Sequence, residues 1–143
     1  MEVEVLHRGD VAFEAIARGH RVICDQPPAN GGSDSGMTPP EFLLVSLGTC
    51  AGFYAAQYLK TRSLPTDGLR VKVSAEKASQ SARLERLQIE VSVPELDPQH
   101  QTGIQRAVKS CLIHNTLLNT PVVDIVVNIP LEAPVALAGL ARG

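Results

Sequence analysis

Val3 and Val5 alternate with Glu2 and Glu4 at the start of the chain, the period of a half-buried strand. Arg8-Gly9-Asp10 then reads as a turn, 11–16 as a second strand, Ala17-Arg18-Gly19-His20 as another turn and 21–25 as a third short strand. The N-terminal part is therefore expected to be an antiparallel meander. A Pro-, Gly- and Ser-rich loop over 26–37 leads into "TPPEFLLVSLGTCAG", which opens a long helix. Beyond it, 69–75 and 87–93 alternate as a long hairpin with a polar loop, and Asp97-Pro98 starts a second helix as N-cap and first helical residue. Ile104, Ala107, Val108 and Cys111 share that helix's apolar face at i, i+3, i+4 and i+7. A short helical piece, "IHNTLL", and a final strand, "PVVDIVVNI", follow, ahead of a Pro-, Ala- and Gly-rich tail over 130–143 that is expected to fray.

The first helix sets the architecture, because 42–59 carries no charge. That could suggest a membrane span. Gly48, Gly52, Ser46, Thr49 and Gln57 dilute the segment, and the remaining elements are amphipathic, so the reading is a helix buried on all sides of a soluble domain. Three strands and a hairpin cover only part of such a helix. A second copy is expected to supply the rest, with the small residues of "GTCAG" near a close helix contact. The element order βββ-α-ββ-αα-β, without repeats, is that of a single α+β domain spanning 1–143.

Composition narrows the partners. The chain has 143 residues, with 13 Lys and Arg against 15 Asp and Glu, and no basic cluster for phosphates. With no Trp, three Phe and two Tyr, it also has little to stack on bases, so nucleic acid is not an expected partner. Cys24, Cys50 and Cys111 are an odd number, and "MEVEVLHRGD" lacks a basic start and an apolar run, so a reducing cytoplasm is the expected setting. Integrin-type recognition through the Arg-Gly-Asp turn is set aside for that compartment.

Several side chains could carry chemistry. Thr38-Pro39-Pro40-Glu41 is a capping box, which accounts for Glu41 as a helix-starting residue. Glu41 precedes Cys50 by about 900° of helical rotation and roughly 13 Å of rise, so on a straight helix it does not act directly on that thiol. Cys50 and Cys111 lie on apolar helix faces, where a single cysteine is usually packing. As a pair they permit one thiolate to react and the other to resolve it. Cys24 sits on an ordinary strand and reads as structural. Cys111 and His114 offer two zinc ligands, Cys50 a third, and no fourth is evident. His114 could alternatively serve as a base in a thiol hydrolase.

"TPPEFLLVSLGTCAG" around Cys50 and "CLIHNTL" from Cys111 resemble the OsmC/Ohr family, as does the element order over most of the chain. The resemblance implies an intertwined homodimer whose sheets wrap two central helices, and a thiol peroxidase for organic hydroperoxides. In that scheme Cys50 attacks the peroxide, Cys111 traps the sulfenic acid as a disulfide, and an external thiol or dithiol resets the pair, with no metal or organic cofactor. In the family's peroxidases an arginine activates the first cysteine, held by a glutamate ten positions before it. Here that position is Pro40, Glu41 is offset by one, and no arginine or lysine occurs from 22 to 59. Arg21 and Arg18 are the nearest candidates, Arg8 the more remote one. The chain thus resembles a divergent branch of the family. Two other readings stay open: a dimeric binding protein for an apolar small molecule, and a hydrolase using Cys50 or Cys111 with His114.

Overall fold

Alternating side chains at the N-terminus form β1 (Glu4–Gly9), β2 (Ala12–Ala17) and β3 (His20–Cys24), an antiparallel sheet in that order. The computed structural model describes residues 1–129, so the tail expected over 130–143 lies outside the described residues. Ala17 pairs with His20 across a two-residue turn in which Arg18 and Gly19 both have positive φ, 49° and 83°. That left-handed geometry matches the twist of the flanking strands, and Arg18 is there to make the turn. Between β1 and β2 the register shifts at Arg8, a bulge that re-aims its side chain.

The loop that follows is organised by one buried carboxylate. Asp25 is 1 % exposed; its Oδ2 accepts from the backbone N–H and hydroxyl of both Ser33 and Ser35, at 2.8 to 3.1 Å, and its Oδ1 from the Gln26 N–H at 2.8 Å. These bonds, led by the Ser35 and Gln26 amides, outweigh burial and hold its pKa far below the usual carboxylate range. Asp25 N–H also donates to the Met37 carbonyl, tying the end of β3 to the start of the first helix.

That helix, α1 (Pro39–Lys60), begins as expected, with both prolines in its first turn and the Glu41 carboxylate accepting from the Thr38 N–H and hydroxyl at 2.7 and 2.8 Å. It then packs on the hairpin of β4 (Arg70–Lys77) and β5 (Leu84–Ser92), and on α2 (Gln101–Val108) and α3 (Leu112–Leu118). Gly48 lets the helix approach β4: a methyl there would lie 3.0 Å from Val73 Cγ2. The core joins Ala51, Ala55 and Leu59 of α1 to Ile104 and Val108 of α2, with Val71, Ile89 and Val91 laid over them. Leu59, fully buried there, contributes about 1.5–3 kcal/mol relative to an exposed leucine.

Four expectations change. Only the stripe Leu47, Ala51, Ala55, Leu59 of α1 is buried within the chain, while Leu43, Val45 and Phe53 lie on the surface, Phe53 57 % exposed. The helix buried on all sides is thus half covered by its own chain, because the N-terminal sheet makes no substantial contact with it among the described residues. Although α1 is long and apolar enough to cross a membrane, with a mean hydropathy of 1.4, its buried stripe is committed to this core. Asp97-Pro98 starts a 3-10 turn over Pro98–His100, and α2 begins only at Gln101. Cys111 is not on α2, which ends at Val108; it is the N-cap of α3. Finally, "PVVDIVVNI" carries no strand: 121–129 is exposed and pairs with no strand among the described residues.

Candidate active site

Cys50 lies midway along α1, half-buried, and Cys111 is fully buried at the break between α2 and α3. The break has a local cause. Lys109 and Ser110 end α2, and Cys111 takes an extended backbone, φ −59° and ψ 125°, so that its Sγ accepts from the His114 N–H at 3.3 Å and caps α3. This turn presents the Cys111 thiol and the first amides of α3 to the Cys50 sulfur.

The two thiols are thereby made unequal. Burial raises the pKa of Cys50, but hydrogen bonds to its sulfur from the Cys111 thiol and from the Ile113 and Leu112 amides prevail and hold it below the ordinary thiol value. Burial pushes Cys111 up, and the Cys50 sulfur that takes its hydrogen bond pushes it further than the His114 and Ile113 amides pull it back. Cys50 is thus the more acidic thiol of the pair and Cys111 the less acidic one, an order in which Cys50 ionises first while Cys111 keeps its proton. Alkylation of Cys50 by iodoacetamide should accordingly show a pH midpoint below the ordinary value of about 8.5, and Cys111→Ala should raise that midpoint. A wild-type midpoint at or above the ordinary value would contradict the assignment.

The other expected site residues are distributed differently. Glu41 is engaged with Thr38 at the start of α1, which lowers its pKa through the Thr38 amide and hydroxyl. Arg18 is exposed in the β2–β3 turn and makes no hydrogen bond or ion pair among the described residues. Arg21 on β3 pairs with Glu14 at 3.2 Å, and Arg8, swung over by the bulge, pairs with the same carboxylate. Hydrogen bonds from Arg8 foremost, and from Arg21, keep Glu14 ionised although it is only 8 % exposed. None of these arginines acts on Cys50 within its own chain. The His114 imidazole also makes no hydrogen bond to either sulfur, and its Nδ1 is buried without a partner. Among the described residues no cluster of three His, Cys, Asp or Glu converges as a metal site.

Beside the thiols, Tyr54, one turn after Cys50, joins Ser110, Leu112, Asn115, Thr116 and Asn119 around a shallow cleft of about 520 Å³. Sequence reasoning missed this cleft, the amides of Leu112 and Ile113, and the Arg8–Glu14 pair. The serine and asparagine content of 110–119 was the available signal for the first. Nothing in side-chain composition announces the second.

Comparison with known proteins bears on the family and the fold. A family profile described as OsmC-like protein matches residues 32–126. No curated protein sequence matches significantly. Among solved structures, an osmotic stress induced and detoxification response protein from Psychrobacter arcticus superposes with a TM-score of 0.73 at 21 % identity, over 80 % of this chain and 85 % of the other. An OsmC-like protein from Mycoplasma pneumoniae gives 0.68 at 20 % identity, over 83 % and 87 %. The organic hydroperoxide resistance protein OhrB of Bacillus subtilis gives 0.59 at 17 % identity, over 84 % and 93 %.

Proposed function

The chain belongs to the OsmC-like protein family, and from that premise we propose that it is a cytoplasmic, homodimeric thiol peroxidase that reduces organic hydroperoxides. One observation carries the reading: the Cys50 thiol on α1 lies against the buried Cys111 thiol that caps α3, both of them free, and Cys50 is the more acidic of the two. The Cys50 thiolate attacks the distal peroxide oxygen and the O–O bond breaks. Cys50 is oxidised to sulfenic acid, and the departing alkoxide takes the Cys111 proton and leaves as the alcohol. The Cys111 thiolate then attacks the Cys50 sulfur, an S–S bond forms, and hydroxide leaves to become water. An external thiol or dithiol returns the pair to the reduced state by exchange. The apolar run of α1 beside Cys50 favours substrates with an alkyl tail, which gains from burial where hydrogen peroxide has nothing to bury.

A second copy completes this picture. The exposed Leu43, Val45 and Phe53 of α1 and the uncovered N-terminal sheet supply apolar surface for it. The sheet carrying Arg18 and Arg21 lies off α1 in its own chain, so an arginine at Cys50 comes from the partner copy's sheet. Glu14, which holds Arg8 and Arg21, takes over the holding role left open at Pro40. Kept reduced, Cys24, Cys50 and Cys111 suit the cytoplasm.

The test is a mass-spectrometric titration of the reduced protein with cumene hydroperoxide and, separately, with hydrogen peroxide. Rapid formation of a Cys50–Cys111 disulfide, preferentially with the organic peroxide, is expected. Thiols that stay free with both oxidants overturn the proposal in favour of a binding role.

A further inference from the structure

Along β4, Val71, Val73, Ala75 and Lys77 fall on one face at the strand period, and Val71 and Val73 are the side chains nearest Gly48 and Gly52 of α1. A charge therefore ends the apolar face that packs on the helix. Beyond it the hairpin loop folds back: the Ala78 N–H donates to the Arg83 carbonyl and the Arg83 N–H to the Ser81 carbonyl, while the register with β5 shifts at Lys77. Loop, strand end and the start of α1 enclose about 540 Å³, with Pro39, Pro40, Leu43 and Leu84 as apolar wall and Lys77 and Arg83 as cationic wall. That volume lies in the range of small-molecule sites, about 300–1,000 Å³.

The charges around this cleft define what it can hold. Lys77 forms no ion pair among the described residues, and Arg83 shares one carboxylate, Glu85, at 3.6 Å. Two cations against one acid leave room for a single negative charge. Glu76 falls on the opposite face of β4, and the Glu41 carboxylate is engaged with Thr38, about 200° around α1 from Leu43. Pro39 and Pro40 have no N–H to offer, so an anion here is held by the two side chains.

We propose that this cleft binds an acyl carboxylate, with the alkyl chain on Pro39, Pro40 and Leu84 and the head between Lys77 and Arg83. The chain gains by leaving water, and a monoanion matches the net charge of the site where a phosphate dianion would be left half neutralised. Leu43, at the margin of the apolar α1 surface, precedes Cys50 by two turns and about 10 Å on nearly the same helix face, so the ligand sits at the head of the face that carries the thiol. The site uses neither cysteine and does not depend on the peroxidase reading.

Titration calorimetry of the full chain at low salt, with decanoate, decan-1-ol and acetate, tests this. One decanoate per chain is expected to saturate, at least about fivefold tighter than decanol, with no heat from acetate and with the preference shrinking as salt is added. Lys77→Glu should weaken decanoate at least about fivefold and Lys77→Arg should keep it, the helical circular dichroism being unchanged in both. Amide shifts on adding decanoate should centre on 77–84 and Leu43. Absence of saturation, equal affinity for acid and alcohol, or unchanged binding by Lys77→Glu overturns the proposal. Shifts centred on Val45 and Phe53 place the acid on the exposed face of α1 and overturn it as well. Sedimentation with anionic phospholipid vesicles without decanoate binding makes the cleft a contact with a lipid surface, and equally overturns it.

Discussion

Cys50→Ser should lower the rate of organic hydroperoxide consumption by roughly a thousandfold or more, since removing a nucleophile leaves only binding and orientation to act. Cys111→Ser should behave differently. Its Cys50 still attacks once, because the backbone amides of Leu112 and Ile113 remain, but the sulfenic acid then persists and can be trapped by dimedone. Consumption followed by stopped-flow, with dimedone adducts read by mass spectrometry, separates the two variants. Retention of wild-type turnover by Cys50→Ser would sink the two-thiol mechanism. Loss of the dimedone adduct in Cys111→Ser would mean that the Cys111 thiol, rather than the amides, keeps Cys50 ionised.

The second large effect is structural. Asp25→Ala removes the buried carboxylate that accepts from the N–H groups of Gln26, Ser33 and Ser35 together, and with it the bonds that close the loop after β3. The melting temperature should fall by about 10 °C or more. The sign of the pH dependence follows from the depressed pKa of Asp25: its contribution is fully present above the unfolded value of about 3.9 and is lost as pH falls below it toward the folded value. Wild type should therefore lose stability on acidification more steeply than Asp25→Asn, as read by thermal melts from pH 6 to pH 3. Parallel slopes for the two proteins would remove Asp25 from that role.

Much of this molecule was legible before its structure. The alternation of 69–75 and 87–93 located the hairpin, and Thr38 with Glu41 located the start of α1, because both signals are local and the chain obeys them. Cys111 was read one helix too early, since the i, i+7 pattern continues smoothly through Lys109 and Ser110 while the backbone does not. Asp25 reads as the last residue of the third strand, although Ser33 and Ser35, two positions apart in the loop beyond it, are the kind of donors that a buried carboxylate needs. No cation lies in 22–59, and the candidates Arg21, Arg18 and Arg8 belong to the N-terminal sheet, where Arg21 and Arg8 pair with Glu14. The groups that lower the pKa of Cys50 include main-chain amides more than sixty residues downstream, which belong to every residue type and so leave no trace in the letters.

The uncovered N-terminal sheet has a kinetic consequence. In the proposed homodimer, a chain whose first strands find no apolar cover among its own described residues would complete its folding by meeting another chain. The last step is then an encounter, with a half-time that shortens as concentration rises. Dilution slows the arrival of the finished protein, and the rate of its synthesis sets how long each new chain waits with that surface bare.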